Sequence, residues 1–145
     1  MALFRSRVST LVKSGDVEGL SALLGPLDKK DVQARLALIS MGADAVPALL
    51  TLALQDPSPA SDTLSARIAA AHTVLVMIGE PTLRAVARVI KTSDDRLVVA
   101  DAAELMYRTA LALHVAVPEG VKEEVERKTG RDWASVCGEE RDQPD

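Results

Sequence analysis

Arg84, Arg88 and Lys91 recur at i, i+4 and i+7, so a helix running through them gathers their charges on one face. Val86 and Ile90 fall on the opposite side, where a core would lie. A cationic stripe of this kind can grip the carboxylates or phosphates of a partner, and the same spacing also suits a plain solvated face. Thr51 and Gln55, with Asp44 and Ala48, occupy the corresponding face one helical pair earlier. That face is small and almost uncharged, which permits close approach by another helix and favours a protein partner. Trp133, in Arg131-Asp132-Trp133, is either a cover for the end of the core or an anchor for an interface.

Side chains suited to catalysis are sparse. His72 and His114 are the only histidines; His72 falls within an apolar helix, where a satisfied core or inter-repeat histidine is expected, and His114 falls at a helix end, as a solvated or capping group. Asp101 and Glu104 share a helix face at i and i+3, as do Asp94 and Asp95 in the preceding turn, a grouping that could be read as acid/base machinery. Acids near helix starts are also what the macrodipole favours. No Gly-rich phosphate loop, nucleophile elbow, paired-cysteine zinc site or His-Glu-x-x-His helix occurs. Catalytic, cofactor-binding and metal-ligating residues are therefore expected to be none. Cys137 is the single cysteine, so no internal disulfide can form and a reducing compartment is expected. Its neighbourhood of acids predicts an exposed thiol with little thiolate character.

Composition narrows the partners further. The chain has 145 residues, 48% of them apolar and 2% aromatic, enough for one domain with a real core but too few rings for recognition by base stacking. Residues 1–60 hold six Lys/Arg against six acids and residues 61–117 hold six against six, while the remainder from Pro118 holds five against nine, which gives the net charge of −4. A neutral body with an acidic end lacks the clustered cations that bind a phosphate backbone, so no nucleic-acid partner is expected. The longest apolar run, Ile68 to Ile78, is interrupted by His72 and Thr73 and is too short for a bilayer; no membrane association is expected. The acid-free first fifteen residues carry Leu3, Phe4, Val8, Leu11 and Val12 at helical spacing, as an opening structural helix would.

Helices should alternate with short turns. The first is expected from Ala2 to Ser14, and Asp16 should cap a short second one ending at Gly25-Pro26. Asp28 should cap a helix that carries Val32, Leu36, Ile39 and Met41 to Gly42, and Asp44 should cap its partner, with Pro47 in the first turn and Val46, Leu49, Leu50 and Ala53 inward. Asp56-Pro-Ser-Pro-Ala-Ser-Asp62 reads as the one long loop. Ala66 to Ile78 reads as a nearly all-apolar helix closed by Gly79. Pro81 starts the next, with Leu83, Val86, Ala87 and Ile90 inward. Asp94 or Asp95 caps a helix holding Leu97, Val98, Ala102, Leu105, Met106 and Ala110, and Pro118 begins a last one, with Val121 and Val125 inward, that ends at Gly130.

These helices repeat. Ala34-Arg35-Leu36 leads to Gly42 and Val46-Pro47-Ala48-Leu49-Leu50, and Ala66-Arg67-Ile68 leads to Gly79 and Leu83-Arg84-Ala85-Val86; setting Gly42 on Gly79 is a shift of 37 residues. Self-similarity at this period marks helical repeats, whose hairpins bury their apolar stripes against one another. The segment from Leu27-Asp28 through Arg35 to Val46-Pro47-Ala48-Leu49-Leu50 resembles a HEAT repeat, particularly the short bacterial kind found in phycobilisome lyases. In that resemblance Asp28 is the acid of the turn and Arg35 the arginine opening the helix; Arg67 matches the arginine, but the Pro-Ser-Pro loop breaks its spacing from Asp56, and Asp101 reverses the charge in the third unit. The di-iron HEAT-like enzymes, such as deoxyhypusine hydroxylase, use repeated His-Glu pairs, which this chain lacks. The Thr129-Gly130-Arg131-Asp132-Trp133 ending is similar to the segment that closes some bacterial HEAT-like arrays.

The resemblance implies an all-α right-handed superhelix, an α-solenoid of about four antiparallel hairpins spanning residues 1–130 as a single domain, followed by an acidic polar tail over 131–145. The resemblance says little of function; with the sparse catalytic side chains and the faces read above, the expectation is a non-catalytic protein-binding module or assembly adaptor of a bacterial cytoplasm, without cofactor, that takes a protein partner on its concave face through Arg84, Arg88, Lys91, Thr51, Gln55 and Trp133. A second copy of the chain is the alternative partner. A HEAT-like lyase or accessory subunit acting on a bound chromophore or cofactor is the alternative function.

Overall fold

A computed structural model describes residues 7–55 and 61–138. The start of the expected first helix, the Pro-Ser-Pro stretch and the last seven residues lie outside the described residues. Within them the protein is all-α, with no strand. In chain order the helices are α1 Arg7–Ser14, α2 Val17–Ser21, α3 Lys29–Met41, a 3-10 turn Gly42–Ala45, α4 Val46–Ala53, α5 Asp62–Ile78, α6 Glu80–Thr92, α7 Arg96–Leu113, α8 Glu119–Thr129 and α9 Trp133–Cys137.

Aspartates start many of these helices because a short carboxylate accepts the N–H groups that the first turn leaves unpaired. Asp16 accepts from the Gly19 N–H, Asp28 from Asp31, Asp95 from Leu97 and Val98, and Asp132 from Ser135. Asp44 does not cap α4 as its sequence position suggests. The 3-10 turn carries the chain from α3 directly into α4, so Ala45 takes the cap position without a side-chain bond, and Pro47 follows in the first turn. The two glycines equated by the internal repeat share one unusual backbone: Gly42 has φ 59°, ψ −128° and Gly79 has φ 88°, ψ −123°. Glycine alone adopts this region without strain, so each ends one helix and redirects the chain into the next.

The chain divides into two compact units, Met1–Ile78 and Gly79–Asp145, where the sequence suggests a single array. In the first, α5 packs against α3 and α4, and α2 packs against α3 and α4. Leu20, Leu24, Leu38, Leu49, Val74 and Leu75 fill that core. In the second, α7 is the central helix, contacted by α6, α8 and α9, and Val86, Ile90, Val99, Leu105, Met106 and Val125 are buried around it.

The inward face of α3 differs from expectation. Burial follows Asp31, Ala34 and Leu38, whereas Val32 and Leu36 are 48% and 61% exposed and Ile39 and Met41 are half-buried. The displacement comes from a charged residue in a core position. The Asp31 carboxylate, wholly inaccessible, accepts Arg35 Nε at 2.8 Å and Nη2 at 3.1 Å and the Leu27 N–H at 2.7 Å. Asp28 reaching forward and Asp31 reaching back form a variant of the capping box, and the bond to Leu27 holds that residue at φ 60°, a left-handed backbone uncommon for leucine. Leu97, expected inward on α7, is 70% exposed for a simpler reason: it lies in the first turn, outside the Val99–Ala103–Met106 stripe.

Residues 131–138 belong to the fold and not to a polar tail. Helix α9 buries Trp133 and Cys137, the latter 6% exposed, so the thiol expected at the surface is packed inside; the two sit four residues apart and share the inward face of the helix. The continuous helical stretch Lys29–Ala53 is apolar and long enough, by length and composition, to cross a membrane. It is nevertheless two helices turned at Gly42, and its buried residues face α2 and α5 as core residues do.

Candidate functional site

Helix α6 is strongly two-faced. Thr82, Val86 and Ile90 are buried, and Arg84, Arg88 and Lys91 are exposed on the other side. Between the faces, a cleft of about 460 Å³ opens beside α8, with Ala87, Ile90, Pro118 and Val121 among its lining and Arg88, Lys91 and Glu124 at its edge. A second cleft of about 290 Å³ adjoins it along α6, sharing Ala87 and Pro118 and lined by Leu83, Met106, Ala110 and Val117. Together they form an apolar groove along α6 with charged rims.

The rim charges are not equivalent. Arg84 donates to Glu80 at 2.7 Å one turn back, with both groups exposed. Glu124 is matched by Arg127, which donates to it, and by Lys128 at 3.4 Å. The Arg127 bond is the main reason its carboxyl lies below the ordinary glutamate value. Arg88 and Lys91 have no ion-pair partner among the described residues. Two uncompensated cations thus border an apolar trough, an arrangement that can hold a helix or strip of chain bearing acids beside an apolar ridge.

Lys128, which the sequence reading passed over, fixes one end of this groove. Its side chain is 6% exposed, and its ammonium donates to the carbonyls of Ile90, Lys91 and Ser93 at 2.7, 3.0 and 2.6 Å. These are carbonyls that the end of α6 leaves unpaired, and a cation there also opposes the negative end of the helix dipole. The partners lie 35 to 38 positions away in sequence, so no local pattern announces them.

Thr51 and Gln55 lie in the other unit. Both are exposed and line a pocket of about 300 Å³ with Glu18, Ser21, Ala48 and Arg67. The Thr51 hydroxyl donates to the Pro47 carbonyl at 3.1 Å. The structure therefore brings Arg88 and Lys91 together at one groove and Thr51 and Gln55 together at a separate pocket. Trp133 is 5% exposed and its backbone N–H donates to Glu126 Oε2 at 2.9 Å; it packs with α9 against α7 and α8, which suits the covering role and leaves little of the ring for an interface.

The histidines take backbone roles. His72 Nε2 lies 3.0 Å from the Ala53 carbonyl, which can only accept, so this nitrogen carries the proton and caps the last turn of α4. His114 is the left-handed C-cap of α7 at φ 56°. Among the described residues no group of three or more His, Cys, Asp or Glu converges as metal ligands would. Comparison with protein-family models, with curated proteins and with solved structures gives no match, so the class the chain defines is the one its own geometry gives: an all-α protein of paired helices with an apolar groove along α6.

Proposed function

We propose that this protein is a non-catalytic binding module or assembly adaptor of HEAT-like character, working in a bacterial cytoplasm, and that the α6 groove receives an acidic amphipathic helix of a protein partner. One observation carries the reading: an apolar trough whose uncompensated rim charges, Arg88 and Lys91, are both positive. An apolar ridge on the partner would fill the trough, and its flanking carboxylates would meet the two cations, which supplies orientation as well as attraction. The repeat character is supported by the matched glycines at 42 and 79 and by next-but-one helix packing within each unit, α3 against α5 and α6 against α8.

The test is fluorescence anisotropy with a synthetic amphipathic helix bearing one leucine face, made in a glutamate-flanked and a lysine-flanked form. The glutamate form should bind, the lysine form should not, and the double variant Arg88→Glu/Lys91→Glu should weaken binding at least tenfold with an unchanged melting temperature. Equal binding of both peptides, or indifference to the double reversal, would overturn the proposal. A dimer seen by sedimentation and dissolved by the same reversal would overturn the choice of occupant and put a second copy in the groove.

A further inference from the structure

Helix α3 is apolar on two opposite sides. Ala34 and Leu38 face the core, while Val32 and Leu36 stand one turn apart on the outer side, both exposed. Lys29 precedes them on that side and Ser40 and Ala43 follow at helical spacing, all exposed, with Ile39 half-buried alongside. A helix that is apolar all round belongs in an interior, and a row of large apolar side chains left in water marks a surface that another molecule covers. Arg35 is the one charged residue between Val32 and Ala43, and it is engaged by Asp31, so the middle of the outer stripe carries no free charge.

The two ends of the stripe are opposite in sign. Lys29 and Lys30 are exposed at its start and Asp44 is exposed just past its end, in the 3-10 turn. None of the three has an ion-pair partner among the described residues. A surface with a positive head, an apolar middle and a negative foot is complementary to itself once reversed. An anionic membrane would meet Asp44 with repulsion, and a partner acidic along its whole length would do the same. We propose that the outer side of α3 is the contact between two copies of this chain, laid antiparallel about a two-fold axis near Leu36. Leu36 then packs on Leu36 of the second copy and Val32 lies over the second copy's Ser40. The small Ser40 and Ala43 let the two backbones approach, and Lys29 and Lys30 of each copy meet Asp44 of the other. One pair of 13-residue helices makes a small interface, so the dimer forms reversibly with concentration. The contact belongs to the first unit and does not rest on the reading given to the α6 groove.

The test is sedimentation equilibrium of the full chain over a dilution series from millimolar to micromolar, which should show monomer and dimer in exchange. Leu36→Glu, at an exposed position, should raise the dissociation constant at least tenfold with an unchanged melting temperature. Two charge variants fix the direction of pairing. Lys29→Glu/Lys30→Glu sets acid against acid in its own dimer and Asp44→Lys sets base against base, so each alone should dissociate more readily. An equimolar mixture of the two should pair again, because each copy then carries the charge that the other lacks. The Arg88→Glu/Lys91→Glu protein should dimerise as the wild type does, which separates this contact from the groove. A chain that stays monomeric throughout, or a dimer indifferent to Leu36→Glu, would overturn the proposal. A mixture that fails to pair would overturn the antiparallel order. Flotation of a monomeric chain with phosphatidylglycerol vesicles, abolished by Leu36→Glu, would give the stripe to a lipid surface and overturn the choice of occupant.

Discussion

Each of the two units buries one charged group at a helix terminus, and the two are opposite in sign and in reach. In the first unit the Asp31 carboxylate gathers donors at the start of α3: the Leu27 N–H and the Nε and Nη2 edge of the Arg35 guanidinium. In the second the Lys128 ammonium gathers acceptors at the end of α6. Both obey the same rule, since a helix beginning presents unpaired N–H groups and a helix end unpaired carbonyls. The difference lies in who supplies the charge. Asp31 belongs to the helix it caps and finds its partners within six residues, whereas Lys128 comes from another helix and ties α8 to α6.

The sharpest way to break this pairing is Asp31→Asn. It leaves Arg35 beside a neutral amide and should cost about 3 to 5 kcal/mol, the usual penalty for removing one partner of a buried ion pair, measured by urea unfolding. Burial alone would raise the Asp31 carboxyl, but the Arg35 bond and the Leu27 and Gly25 N–H groups together hold it below its ordinary value of 3.8. The unfolded chain therefore takes up a proton there at higher pH than the native chain does. The stabilisation is present above about pH 4 and is lost as pH falls through the native value, so below about pH 4 the melting temperature of the wild type should drop more steeply than that of Asp31→Asn. Lys128→Met keeps the apolar stem and strips three carbonyls of their donor. A loss of about 2 kcal/mol is expected, with weakened peptide binding at the groove whose end it fixes. The smallest effect belongs to the exposed Glu80–Arg84 pair: Arg84→Ala should shift stability by less than about 0.5 kcal/mol, and a larger loss would mean that surface pairs on α6 matter as much as the buried lysine.

The same contrast explains what could be read from the amino acids. Caps at Asp16, Asp28 and Asp95 and stops at Gly42 and Gly130 act within a few residues, so their residue types are signals in themselves, and the all-α class follows from them. The inward face of α3 was not legible, because the apolar stripe Val32, Leu36, Ile39 pointed one way and a carboxylate satisfied by three donors was buried instead. At the candidate site, the spacing of Arg84, Arg88 and Lys91 showed the stripe, yet only coordinates show that Glu80 neutralises the first of them and that an apolar trough runs beside the other two.

The single thiol, at Cys137, offers a built-in stopwatch. Because it is enclosed when α9 is docked, an alkylating dye can reach it only during moments when that terminal helix lifts away. The speed at which the native protein is stained therefore times the opening of this end of the molecule, with no label added by engineering.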